Sequence, residues 1–314
     1  MSTLRNAAER YLDLRRSLGF KLESQAFTLR NFLRFAEREA AKTITTELVL
    51  RWSKQPCRAG PATWAQRLGV VRNFAAWYAA YDANCEIPPE GLISQRFRRQ
   101  QPYIYSDHEI DQILRAAADL PSRLGLRGST CSTIYALLAA TGMRVGEALA
   151  LDRSDVDLES GVLTIRNAKF GKSRLVPLHA TTKRALAQYA ARRDRALRRA
   201  SPPFFVLDSG QRITQWCVRY NFARISQRVG IRIPALGLRH GRGPRLHDLR
   251  HRFAVRTMIA WYRCGANVEA EMPRLATYLG HVHVNETYWY IEGVPELLQL
   301  ATERLQRSSR GTRP

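Results

Sequence analysis

Apolar residues recur at three- and four-residue spacing over most of the chain, which predicts a protein built mainly from α-helices. In the first third this spacing predicts about four helices. Their apolar positions lie in residues 4–14, 27–35, 48–52 and 64–81. Later helical patterns cover residues 144–151, 181–199, 213–230, 246–264 and 295–306, and an apolar run spans 130–140. Ser106, with Glu109 three positions later, predicts a capped helix start.

The hydrophobic period changes to that of β-strands between residues 161 and 178. Val162–Ile165 and Leu175–Leu178 are short apolar runs on either side of a polar stretch, which predicts a β-hairpin. The expected fold class is therefore mainly α, with a small β-sheet or hairpin.

A break in the pattern near residue 101 predicts a domain boundary. The run Ile87-Pro88-Pro89-Glu90-Gly91 precedes a basic stretch, as in an exposed linker. A chain of 314 residues is long enough for about two domains. We expect a helical domain over residues 1–101 and a mixed α/β domain over residues 102–314.

The charge balance predicts a polyanionic partner. Lys and Arg number 50 against 27 Asp and Glu, for a net charge of +23, and basic residues occur in both halves of the chain. Nucleic acid is the first candidate for such a partner. Arg96, Arg98 and Arg99 in the linker are candidate DNA contacts.

Cysteine usage and hydropathy predict a soluble protein of the cytoplasm. The five cysteines are scattered and include no Cys-x-x-Cys pair, which argues against a disulfide framework or a structural zinc site. No stretch of 18 apolar residues occurs, and the first 16 residues are amphipathic and charged. We therefore expect no membrane association.

The segment from His247 to His251 is the first candidate for chemistry. As His-x-x-x-His it imitates the zinc-protease motif, although no third ligand stands at a recognisable spacing. As His-x-x-Arg it places His247 and Arg250 on one helix face, where an anion could accept hydrogen bonds from both. A solvated basic helix is the third interpretation.

Other motifs accompany this segment in a fixed order. Arg144 follows a glycine turn at a predicted helix start, with Glu147 three residues later. Downstream come Leu279-Gly280-His281 and, nine residues after that histidine, Tyr290. Together these motifs resemble the signature of the tyrosine recombinase (phage integrase) family.

The hairpin carries a fifth element of the resemblance. Lys169 lies six residues before Leu175-Val176-Pro177-Leu178, the place where the family has a catalytic lysine. Ala168 and Phe170 replace the glycines that commonly flank this lysine. Lys172 is therefore the alternative for the role, and it is otherwise expected, with Arg174, to contact DNA.

The resemblance implies a role for each motif residue. Tyr290 would attack DNA as the nucleophile, with Tyr288 as the alternative. Arg144 and Arg250 would clamp the phosphate, and Glu147 would orient Arg144. The remaining roles are proton transfer at the nucleophile by His247, a hydrogen bond to the phosphate from His281, and protonation of the leaving 5′-oxygen by Lys169.

The implied function is site-specific recombination of double-stranded DNA through a 3′-phosphotyrosine intermediate and a Holliday junction. Four copies would assemble on two sites, with residues 1–101 as a core-binding domain and without a cofactor, metal or small-molecule substrate. Strand nicking and resealing like that of a type IB topoisomerase, and non-catalytic DNA binding, are the alternatives. The target site and the choice between a phage, a mobile element and chromosome-dimer resolution stay open.

Overall fold

The computed structural model describes residues 3–55, 59–94, 102–166, 173–197, 201–235, 238–281, 283, 285–292 and 294–311. The chain divides into two compact units, Met1–Arg99 and Gln100–Pro314. None of the helices within these ranges is long and apolar enough to cross a membrane.

The first unit contains the four helices that the hydrophobic pattern predicts. They are α1 (Thr3–Ser17), α2 (Glu23–Arg38), α3 (Thr46–Lys54) and α4 (Pro61–Tyr78). Each contributes at least one large, fully buried side chain to a shared core, for example Leu12, Phe32, Trp52 and Phe74. The Trp52 Nε1–H donates to Asn31 Oδ1 at 3.0 Å, which satisfies the polar edge of the buried indole.

The second unit is also mainly helical, as predicted. Its helices are α5 (Asp107–Ala118), α6 (Leu126–Thr141), α7 (Val145–Ala150), α8 (Ala180–Ala196), α9 (Gln215–Arg228), α10 (Leu246–Arg263), α11 (Val268–Leu279), α12 (Asn285–Glu292) and α13 (Pro295–Gly311). The predicted capping box is confirmed, because Ser106 Oγ accepts from Glu109 N at 3.1 Å and the Glu109 carboxylate accepts from Ser106 N. The apolar helix α6 forms the centre of the core.

The predicted hairpin is confirmed as part of a three-stranded antiparallel sheet. Its strands are β1 (Val156–Asp157), β2 (Val162–Ile165) and β3 (Arg174–Pro177), in that order. Leu163 pairs with Val176, and Ile165 with Arg174 at the end of the ladder. A second sheet, β4 (Ile233–Ala235) with β5 (Leu238–Arg242), was not predicted. Proline and glycine interrupt that stretch, so no alternation of apolar and polar residues marks it.

Helices α11 and α12 were also missed. Proline at position 273 lies inside α11, and this residue normally indicates a helix boundary. The apolar stripe after residue 294 forms part of α13, which packs on its own unit. Leu297 is fully buried there in a cluster that includes Met258 and Tyr290.

Candidate active site

A glycine turn joins α6 to α7 and begins the site. Gly142 ends α6 with a φ of +61°, and a Cβ at this position would lie 2.6 Å from Cδ1 of Phe253. Glycine is therefore required both for the left-handed backbone and for the close packing. The Gly142 carbonyl accepts a hydrogen bond from Arg250 Nη1 at 2.9 Å, so the turn lies directly against α10.

Arg250 is a buried cation whose two Nη atoms donate to neutral backbone carbonyls. Its side chain extends from α10, the residue is 2% exposed, and Nη2 donates to the Leu279 carbonyl at 2.8 Å. Burial lowers the pKa of Arg250 to about 10, and the charge of Arg144 acts in the same direction. A hydrogen bond with Tyr290 opposes this shift. The arginine is charged at neutral pH and would be stabilised by an anion.

Arg144 lies at the start of α7 and is held from two sides. Nη1 donates to Glu147 Oε1 at 2.9 Å, and Nη2 donates to the Gly280 carbonyl at 2.8 Å. The Arg144 backbone N–H also donates to Glu147 Oε2 at 2.9 Å. With its side chain 25% exposed, Arg144 is fixed in orientation yet open to solvent.

Glu147 is buried and ionised between two arginines. Burial raises its pKa, but hydrogen bonds from Arg174 and from Arg144 outweigh this effect and hold the pKa below its ordinary value. Arg174, a sequence candidate for DNA contact, places both Nη atoms on this carboxylate, at 3.0 and 2.8 Å.

Two neutral imidazoles border the arginines. His247 lies one turn before Arg250, and partial burial of its ring, followed by the charge of Arg250, lowers its pKa to about 4. His281 Nδ1 lies 2.7 Å from Thr287 Oγ1, and burial followed by the charge of Arg250 lowers its pKa to about 3. At neutral pH both rings are uncharged, so each could accept a proton.

Tyr290 lies on α12 beside this group. The residue is 3% exposed, its ring stacks on His281 at 6.1 Å between centroids, and it has a hydrogen bond with Arg250. Tyr288 is 39% exposed. Two residues on a helix differ by about 200°, so the two tyrosines face opposite directions.

His251, which has no role in the resembled family signature, contacts both His247 and Tyr290. Its ring packs edge to face on those of His247 and Tyr290, with ring centroids 4.8 Å and 5.3 Å apart. The sequence could have indicated the contact with His247, because His251 lies four residues later on the same helix face. Across the residues that the structure describes, no group of three or more histidine, cysteine or carboxylate side chains is arranged to hold a metal ion.

A basic cleft of about 710 Å³ opens beside Arg144 and His247. Its lining includes Arg219 and Arg245, neither of which was picked out from the sequence. On α9, which also carries Arg219, the exposed ring of Trp216 stacks on the ring of Tyr220. Their centroids are 5.2 Å apart and the angle between the ring planes is 9°. The sequence pattern that could have identified Arg219, Trp216 and Tyr220 is an arginine placed between aromatic residues on one helix. Protein surfaces that bind nucleic acid combine arginine with aromatic residues.

Five of the sequence candidates lie outside the described residues. They are Lys169 and Lys172 in the hairpin loop, and Arg96, Arg98 and Arg99 in the linker. Their roles stay predictions.

The chain is similar to proteins named as integrases and recombinases. The pattern of the phage integrase family matches residues 105–295. An integrase/recombinase of Sinorhizobium fredii, y4rB, is 45% identical over 312 residues, which cover 98% of both chains. The integrase of transposon Tn1549 in complex with transposon right-end DNA has a similar fold, with a TM-score of 0.66, 13% identity and coverage of 96% of this chain and 98% of that one. The fold is also similar to that of a lambda integrase tetramer bound to a Holliday junction, with a TM-score of 0.64 and 16% identity. The match covers 91% of this chain and 76% of the lambda integrase chain.

Proposed function

Because the chain belongs to the phage integrase family of tyrosine recombinases, we propose that it cleaves and rejoins double-stranded DNA at a specific site through a covalent bond to Tyr290. The observation that carries this assignment is the contact of Tyr290 with Arg250, beside Arg144. The three side chains come from separate helices and meet where a phosphate can bind two guanidinium groups and lie next to a hydroxyl.

The proposed chemistry is a transesterification. The Tyr290 oxygen forms a bond to the scissile phosphorus, the bond from phosphorus to the 5′-oxygen breaks, and a 3′-phosphotyrosine results. Arg144 and Arg250 stabilise the negative charge that accumulates on the equatorial oxygens. Loss of one such preorganised donor typically costs about 10²–10³ in rate.

Two proton transfers accompany this exchange. His247 accepts the proton from the Tyr290 hydroxyl, a role suited to an imidazole that is neutral at pH 7. Lys169 donates a proton to the departing 5′-oxygen, and His281 holds the phosphate by a hydrogen bond. Attack of a 5′-hydroxyl on the phosphotyrosine reverses the steps and rejoins the DNA, so the bond energy is conserved without a cofactor or a small-molecule substrate.

Recombination requires two DNA sites, and we propose that four copies of the chain assemble on them and exchange strands through a Holliday junction. Membership of the family and the fold shared with lambda integrase support this assembly. Residues 1–101 would serve as the core-binding domain, with Arg96, Arg98 and Arg99 on the phosphate backbone. We further propose that the enzyme acts in the cytoplasm on a mobile element, and the fold that it shares with the integrase of transposon Tn1549 supports the second part of this proposal.

Covalent capture tests the proposal without knowledge of the target. The protein is incubated with fragmented genomic DNA, denatured, and recovered with any DNA that is attached to it. Sequencing of this DNA should give a single inverted-repeat site, and peptide mapping should place the adduct on Tyr290. Two duplexes that carry the site should then exchange strands. Relaxation of supercoils without exchange would instead indicate a topoisomerase, and absence of any adduct would indicate a DNA-binding protein.

A further inference from the structure

Arg174 is held in the site by three hydrogen bonds, although it lies on a strand and the resemblance gives it no catalytic role. Its two Nη atoms bind both oxygens of Glu147, and its Nε donates to the Tyr278 carbonyl at 2.8 Å. The side chain is only 12% exposed. A planar guanidinium held at all three nitrogens has one orientation, so this arginine is poorly placed to reach outward to DNA.

Glu147 has a complete set of hydrogen bonds only when Arg174 is present. Each of its oxygens accepts two N–H groups, one from Arg144 and one from Arg174. Removal of Arg174 would therefore halve the hydrogen bonds of a buried carboxylate and raise its pKa. The carboxylate that orients Arg144 would be held less firmly.

Gly280 brings the two arginines against the same stretch of backbone. A Cβ on this residue, whose φ is +69°, would lie 2.8 Å from Arg174 Nη1 and 3.4 Å from Arg144 Nη1. The two guanidinium groups thus pack on the face of Gly280 that lacks a side chain. A change in the position of Arg174 alters the space beside Arg144.

We propose that Arg174 is a positioning residue for DNA cleavage, which acts through Glu147 to keep Arg144 aimed at the scissile phosphate. This inference rests on the function proposed above. It replaces the sequence expectation that Arg174 contacts DNA, and it explains why an arginine at the base of a surface hairpin is buried.

The conservative variant Arg174→Lys separates positioning from charge. Lysine keeps the positive charge but cannot bind both oxygens of Glu147 in a planar fork. On the DNA site recovered by covalent capture, we expect cleavage to slow by about 10–100-fold, because a misplacement of about 1 Å in a catalytic group can cost about 10²-fold in rate. DNA affinity should stay within about twofold, since no phosphate contact is lost. A weaker affinity with unchanged cleavage of bound DNA would assign Arg174 to DNA contact instead.

Two modified substrates identify the group through which Arg174 acts. A methylphosphonate at the scissile position carries no charge and has less need of the arginine clamp, so the defect of Arg174→Lys should shrink to about threefold or less. A 5′-bridging sulfur leaves without a proton and should not change the defect. Rescue by the sulfur substrate alone would show that Arg174 acts on Lys169 through the hairpin and would overturn the proposal.

A double variant and a matched control complete the test. Glu147→Gln combined with Arg174→Lys should cleave no more slowly than Glu147→Gln alone, whereas additive losses would exclude a route through Glu147. Arg252 resembles Arg174 in its contacts, with Nε on the Tyr105 carbonyl at 2.8 Å and an ion pair to Asp107, but it faces away from the site on α10. Arg252→Lys should lower thermal stability and leave cleavage unchanged. If wild-type protein forms no adduct, the proposed function fails; if it does and Arg174→Lys cleaves equally fast, only this inference fails.

Discussion

Arg144 and Arg250 donate hydrogen bonds to consecutive backbone carbonyls, Arg144 to that of Gly280 and Arg250 to that of Leu279. These carbonyls lie at the C-terminal end of α11, where a helix leaves acceptors unpaired and the helix dipole is negative. The helix end therefore stabilises two cations side by side before any phosphate arrives. Because the two guanidinium groups repel each other, binding of a phosphate relieves an interaction that the fold imposes.

The nucleophile is tested by Tyr290→Phe. This variant should bind its DNA site but form no covalent adduct, because only the hydroxyl is lost and the buried ring still packs on His281 and His251. Loss of the hydrogen bond to Arg250 should cost about 1 kcal/mol of stability. Gel analysis after denaturation measures the adduct, and Tyr288→Phe is the control that keeps it. An adduct in Tyr290→Phe, with none in Tyr288→Phe, would reverse the assignment.

The proposed general acid is tested by substrate chemistry. Lys169→Ala should slow cleavage of ordinary DNA by about 10²–10⁴-fold, and a 5′-bridging sulfur should restore the rate because thiolate leaves without protonation. Arg250→Ala should show no such rescue, since its role concerns charge on the phosphate. Rescue of Lys172→Ala in place of Lys169→Ala would show that the other lysine of the loop is the acid.

The depressed pKa of His281 predicts a pH dependence of stability. Burial, then the nearby Arg250, lowers this pKa to about 3 in the folded chain, while an unfolded histidine titrates near about 6.5. Below that pH the unfolded state binds the proton more readily, so the free energy of unfolding should fall as the pH drops from about 6.5 towards 3.

Urea unfolding at pH 7.5 and pH 5 measures the contribution of His281. His281→Gln, which can still hydrogen-bond Thr287, should lose less stability than wild type between the two values. An equal loss in both proteins would show that His281 does not contribute to this dependence.

The sequence predicted which side chains belong to the site better than it predicted the contacts that fix their positions. Motif spacing selected Arg144, Arg250 and Tyr290, and the structure brings them together. The pairing of Arg174 with Glu147 was not predictable, because it joins a strand to a helix through contacts that no local pattern records. The same reason applies to α11, where Pro273 opposes helix formation locally and tertiary packing outweighs it.

The turn at Gly142 connects folding to catalysis, and Gly142→Ala should damage both. The left-handed φ of +61° would strain an alanine by about 1–2 kcal/mol, and the added Cβ would overlap Phe253, which adds about 1–3 kcal/mol. Gly265 offers a matched control, because it has a φ of +73° and nothing lies within 4 Å of the position of its Cβ. Gly265→Ala should therefore show the backbone strain alone.

The effect of Gly142→Ala on activity should exceed its effect on folding. Relief of the overlap requires the turn or the Phe253 ring to shift, and we expect part of this shift to fall on the turn, whose carbonyl holds Arg250 Nη1. Arg250 would then be anchored to the backbone only through the Leu279 carbonyl, and its guanidinium could turn away from the position beside Tyr290. We expect DNA cleavage by folded Gly142→Ala to fall by about 10²-fold, the loss typical of one misplaced donor, while folded Gly265→Ala cleaves like wild type. Single-turnover rates at a temperature where both variants are fully folded measure this difference, and equal rates would mean that the turn contributes to stability alone.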